Sequence, residues 1–193
     1  MSAPRKVSAM LAGVALLLAC AAASASATVI DRGTFSGGDS GVPEDLCGIA
    51  VLHDFTFSGS FRIRVDTQSG GQAFFQLTHF EYRDVFTNPL NGRSLSAEGI
   101  SISNELTATQ VAGNVYEFRT IEAGQPFVVR DGAGNVVLRD RGVIRHRLLF
   151  DTLGDGTPGG ITLDDEIVGI GGPHPGFDQT EEEFCAMVTS LIG

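Results

Sequence analysis

The sequence predicts an all-β fold: a single antiparallel barrel-like sheet or sandwich of about eight strands with one short C-terminal helix. Three observations predict it. Apolar and polar residues alternate with period two through most of the chain beyond residue 47. Clusters of Gly, Asn, Asp and Pro break that alternation at short intervals, as turns between strands do. Only from Thr180 onward does the spacing become helical.

The elements begin with a leader. Residues 1–27 read as a signal peptide: Arg5 and Lys6 give the positive start, residues 7–19 the apolar stretch, and Ala25-Ser26-Ala27 the small-residue cleavage site before Thr28. The apolar stretch is too short to span a bilayer as a helix, and no later stretch is long enough. Secretion is the expectation. A competing reading takes Leu17-Leu18-Ala19-Cys20 as a lipobox, in which Cys20 is lipidated and anchors the protein at the cell surface. Residues 28–46 are rich in glycine and read as a flexible N-terminal arm, and residues 47–193 as one β-barrel-like domain with its helix.

The strands follow. Val51, His53, Phe55 and Phe57 alternate with Leu52, Asp54, Thr56 and Ser58; Ser58-Gly59-Ser60 is a turn signal, beyond which Phe61, Ile63 and Val65 alternate with Arg62 and Arg64. Ser69-Gly70-Gly71 is a turn, residues 74–87 are β-rich, and Asn88-Pro89-Leu90-Asn91-Gly92 is a loop. Ile100 and Ile102 alternate with serines, and Ala112-Gly113-Asn114 turns into residues 115–121. Residues 127–130 and 136–139 read as short strands joined by the hairpin loop Asp131-Gly132-Ala133-Gly134-Asn135. In the strand 143–151, Ile144, His146, Leu148 and Phe150 share one parity. A Gly-rich loop leads to a last strand over residues 161–170. His174 lies between two prolines and reads as a surface residue. Thr180 with Glu183 forms a capping box, and Phe184, Val188 and Leu191 make the apolar side of the helix.

Charge excludes some partners. The chain has 13 Lys plus Arg against 23 Asp plus Glu, a formal net charge of −10. Arg5 and Lys6 belong to the leader, so the remainder carries 11 arginines and no lysine against all 23 acids. Nucleic-acid binding needs clustered cations to displace counterions, and contact with an anionic membrane needs a polybasic segment. Neither is present. Cys47 and Cys185 remain after the leader, and in an exported protein they pair most simply as one disulfide. Two separately buried thiols are the competing state.

Candidate site residues are few. His53 and His146 share strand parity with apolar residues, and His79 shares parity with Phe75 and Leu77. If these positions face inward, the three imidazoles converge with Glu81 as a ligand-binding or metal site. The competing reading is three histidines held by ordinary hydrogen bonds. Asp151 and Asp155 match positions of a calcium loop, with Asp164, Asp165 and Glu166 close behind, but Leu153 and Thr162 stand at positions three and twelve, where the loop needs ligands. A solvated hairpin loop explains the same residues. Calcium is the sole cofactor candidate. If their strands are neighbours, the two R-x-R pairs, Arg62 with Arg64 and Arg145 with Arg147, line one sheet face as a ladder of four guanidiniums that binds an anion; the preferred reading is cross-strand pairing with acids. Nucleophile motifs are absent, and Ser40 in Gly38-Asp39-Ser40-Gly41 lies in the arm.

The order of Asn88-Pro89-Leu90-Asn91-Gly92, Gly142-Val143-Ile144-Arg145 with Leu148-Leu149-Phe150-Asp151, Asp164-Asp165-Glu166 and Phe184-Cys185 resembles a group of uncharacterised secreted proteins of high-GC Gram-positive bacteria. The resemblance implies export and a single β-rich domain, and it carries no activity or catalytic residue. The first functional expectation is an exported, non-enzymatic barrel or sandwich binding a small apolar or amphipathic ligand. A secreted cyclase, isomerase or hydrolase using the histidines is the second, and a cell-envelope interaction or adhesion module the third. Oligomeric state is open.

Overall fold

The computed structural model describes residues 28–65 and 73–193. The signal peptide, Cys20 and the Ser69-Gly70-Gly71 turn lie outside the described residues. Seven strands lie in the sheet in chain order: β1 (Thr28–Leu46), β2 (Ile49–Val65), β3 (Phe74–Thr87), β4 (Ser94–Ala112), β5 (Val115–Arg130), β6 (Val136–Asp151) and β7 (Ile161–Gly171). Each is antiparallel to the next. Two helices close the chain, α1 (Pro175–Asp178) and α2 (Glu181–Ile192). Among the described residues β1 and β7 do not pair, so the single antiparallel sheet is open.

The expected all-β class with a helical tail is present. Among the described residues the strands number seven, because Ser58-Gly59-Ser60, read as a turn, pairs in unbroken register inside β2, and other positions read as breaks are irregularities inside longer strands. β5 runs through Pro126 with a bulge between Gly124 and Phe127, and β6 runs through Gly142 at φ 134°. Glycine inside a strand marks such bulges more often than an end.

Residues 28–46 are not an arm. They form β1, paired with β2 along its length. The glycines that hid this strand have a packing reason. A Cβ on Gly33 would stand 2.8 Å from the ring of Phe61, and one on Gly37 would stand 2.6 Å from the ring of Phe57. Aromatic rings of β2 lie over these positions, so glycine is what the pair requires.

Register and alternation define two faces. On one, His53, Phe86 and Leu95 share a row, as do Phe55, Asp84 and Ala97, then Phe57, Tyr82 and Gly99. This is the aromatic face, where Phe35, Phe57 and Phe80 lie with ring centroids 6.1–6.4 Å apart. Helix α2 packs on one end of it, burying Val188 and Ile192 against Val51, Leu95, Val129 and Leu138. A second cluster gathers Phe75, Tyr116 and Phe118 with Leu148 and Phe150.

The capping box of α2 is present: Glu183 N donates to Thr180 Oγ1 and Thr180 N donates to Glu183 Oε2. At the other end the β3–β4 loop satisfies the last carbonyls. Asn88 Nδ2 donates to Ile192 O at 2.8 Å, and Arg93 donates to Ser190 O and Gly193 O. Cys47 and Gly48 form the two-residue β1–β2 turn, both at positive φ (58° and 79°). Cys47 is bonded to Cys185, which ties that turn to α2. Among the described residues no helix is long and apolar enough to cross a membrane.

Candidate functional site

The second face of the sheet carries the recesses. Thr56, Arg83 and Glu98 share one row, and Ser58, Glu81 and Ile100 the next. These side chains point away from the aromatic face. With Gln125, Val128 and Arg141 from β5 and β6 they line a groove of about 800 Å³. That volume lies within the range of small-molecule sites. Its lining is mixed: Ile100 is 53% exposed and Val128 buried, while Arg83, Arg141 and Glu81 supply charge. Ser58 Oγ donates to Glu81 Oε1 at 2.6 Å, and Arg130 Nε to Glu98 Oε1 at 2.6 Å. Gly124 and Gln125 at the β5 bulge line one side of the groove, and on the opposite face of the sheet Tyr82 reaches across Gly99 and donates to Pro126 O at 2.9 Å. Burial, with the charges of Asp84, Glu122 and Asp140, pushes the Tyr82 phenol up to about 12.

No protein-family model, curated protein or solved structure matches the chain.

The histidines do not converge. His53 lies on the aromatic face, and His79, in register with Ser60 and Ile102, lies on the groove face with Glu81. His146 returns to the aromatic face, but its row reaches β4 at Glu105, whereas that of His53 reaches it at Leu95. Strand alternation separates what parity within each strand had grouped, because parity carries no face until register is known. The premise of a histidine-based enzyme site falls with it.

Each histidine has its own surroundings. His53 is clamped: Nδ1 lies 3.0 Å from Glu44 Oε1 and Nε2 lies 3.0 Å from Asp84 Oδ1, with the ring stacked on Phe86 at 4.4 Å. Its side chain is 13% exposed. Burial works against the charge, but hydrogen bonds and attraction from both carboxylates outweigh it and hold His53 above its ordinary value. With both nitrogens occupied it joins β1, β2 and β3 and has no atom left for substrate. His146 Nδ1 lies 3.1 Å from Asp165 Oδ1. His174, expected at the surface, is 5% exposed and edge-on to Phe177. The neighbouring backbone folds under β6, where Gly176 N donates to Asp140 Oδ1.

The calcium candidates are dispersed too. Asp151 accepts from Leu153 N, Asp155 from Thr157 N and Oγ1, and Asp164 pairs with Arg147 at 3.0 Å. Among the described residues no three His, Cys, Asp or Glu side chains are grouped to hold a metal. The carboxylates shape turns and strand pairs instead.

The R-x-R pairs divide. Arg147 bridges β5, β6 and β7 through Glu117, Asp164 and Glu166. β2 and β6 are not neighbours, so the four guanidiniums do not form one ladder. Arg64 lies over Phe75 at 5.3 Å, and Arg62 faces Arg32 of β1. Sequence reasoning missed Arg32, Arg83 and Arg141. Arg32 sits in the stretch read as an arm, and polar parity on a strand reads as solvated surface until the sheet's curvature is known.

Proposed function

We propose that this chain is an exported, non-enzymatic binding protein that holds a small amphipathic molecule in the groove lined by Thr56, Glu81, Arg83, Ile100, Val128 and Arg141. The observation that carries this is the groove itself: about 800 Å³ of recess on a sheet face, where Ile100 and Val128 stand beside Glu81, Arg83 and Arg141. Export is supported by the leader at residues 1–27 and by the Cys47–Cys185 bond, which suits an oxidising compartment. Calorimetric titration with n-decyl maltoside, a neutral amphiphile, tests the site. Binding at one site is expected, weakened at least tenfold by Ile100→Arg, which places bulk and charge in the recess. Absence of binding by this and by anionic decyl amphiphiles alike, or equal binding by the variant with an unchanged melting curve, overturns the proposal.

A second reading, an envelope interaction module, is supported by β7. Its edge, unpaired among the described residues, belongs to a strand that carries Ile161, Leu163, Ile167, Val168 and Ile170, each 43–53% exposed. Ile167→Lys is expected to abolish any self- or partner association under this reading, measured by sedimentation.

A further inference from the structure

We propose that the groove face also carries an oxyanion site at Arg32, Arg62 and His79, and that the bound molecule is an amphipathic anion. This rests on the ligand-binding reading of the same face and names the ligand's charge. Arg32 of β1 stands directly opposite Arg62 of β2. One row further, Thr34 and Ser60 stand opposite each other and Ser60 opposite His79. Alternation sets all five on the groove face. They line a second recess of about 660 Å³. The two recesses lie on neighbouring rows: Ile102, in the His79 row, is followed on the same face by Ile100 in the Glu81 row.

The arginine pair is the anomaly that points to a ligand. Like charges directly opposite across a ladder repel. Of the eleven arginines beyond the leader, Arg119, Arg130 and Arg147 take a carboxylate; Arg119 and Arg147 also stand directly opposite each other, and there Glu117 pairs with both. Among the described residues no carboxylate lies within ion-pair distance of Arg32 or Arg62. The nearby acids are engaged elsewhere. Asp31 is in register with Ile63, on the other face, and Glu81 is held by Ser58. Arg64 is occupied by Phe75 and the Glu105 carbonyl.

An oxyanion between the guanidiniums turns their repulsion into two charge-assisted pairs. Thr34 and Ser60 add hydroxyl donors, and His79 adds a ring N–H. The exposed side chain of Ile102 (47%) then meets the apolar part of the molecule on its way to Ile100. A carboxylate and a phosphate ester share this chemistry.

The test is calorimetric titration of residues 28–193 with decanoate, n-decyl phosphate and n-decyl maltoside. At least one anion is expected to bind tenfold or more tightly than the maltoside, and which one identifies the headgroup. Arg32→Gln and Arg62→Gln are each expected to weaken the anion at least tenfold and leave the maltoside unchanged; Arg119→Gln is the control that changes neither. The His79 ring-proton resonance is expected to shift when the anion is added to the unmodified chain, a readout that needs no variant. Equal affinities for anionic and neutral amphiphiles overturn the charge assignment and leave the ligand-binding reading standing. Failure of all three to bind overturns both. Tighter anion binding that survives both substitutions, or an unshifted His79, overturns the location.

Discussion

The ring of Phe57 fills the space above Gly37, so that a Cβ on the glycine would stand 2.6 Å from the ring's Cζ. Gly37→Val is therefore expected to push the ring off β1 and cost about 1–3 kcal/mol, as overpacking does. Ser36, exposed and one residue earlier on the opposite face, is the comparison. Ser36→Val is expected to change stability by less than about 0.5 kcal/mol. Urea unfolding of the two variants reads the difference.

The Cys47–Cys185 bond joins residues 138 apart in sequence. On chain-entropy grounds a loop of that length contributes on the order of 4–5 kcal/mol. The double variant Cys47→Ser, Cys185→Ser is expected to lose most of it, seen as a lower urea midpoint. Hydrogen exchange is expected to show α2 opening first, since the turn at Cys47 no longer holds it to the sheet.

His53 gives a pH dependence of defined sign. Its folded pKa lies above the ordinary value of 6.5 because Glu44 and Asp84 outweigh burial. The stability it contributes is complete below the unfolded pKa and is lost as pH rises through the folded one. Wild type minus His53→Gln, measured as melting temperature from pH 5 to pH 9, is expected to shrink toward high pH. A difference that grows instead contradicts the clamp.

Tyr82 and Tyr116 are the two tyrosines of the chain, which has no tryptophan. Spectrophotometric titration is expected to show Tyr82 ionising only near 12. Tyr82→Phe is expected to cost about 1 kcal/mol, from the lost bond to the Pro126 carbonyl.

Much of the fold was legible in the residues. Alternation at Val51 to Phe57 and at Ile144 to Phe150, the Thr180–Glu183 capping box and the pairing of the two cysteines all appear as the sequence implies. These signals are local, or leave a single combination. β1 was illegible because Gly33 and Gly37 carry no side chain to alternate; their partners Phe61 and Phe57 hold the information on another strand. The bulge at Pro126 was read as a break for the same reason, since only the partner strand shows that pairing resumes.

The site was less legible than the fold. His53, His79 and His146 each had the right parity within a strand, and register alone divides them between faces. The opposition of Arg32 and Arg62 is likewise a property of register, invisible until the β1–β2 pairing is known. Composition pointed away from it, because a net charge of −10 hides a local cationic pair.

The most direct measurement is native mass spectrometry of the protein purified from its producing cells under non-reducing conditions. The expected result is a chain beginning at Thr28, lighter by the hydrogens of the Cys47–Cys185 bond, and carrying one non-covalent adduct released as an anion. A bare chain that also stays bare after incubation with excess decanoate and n-decyl phosphate would contradict it.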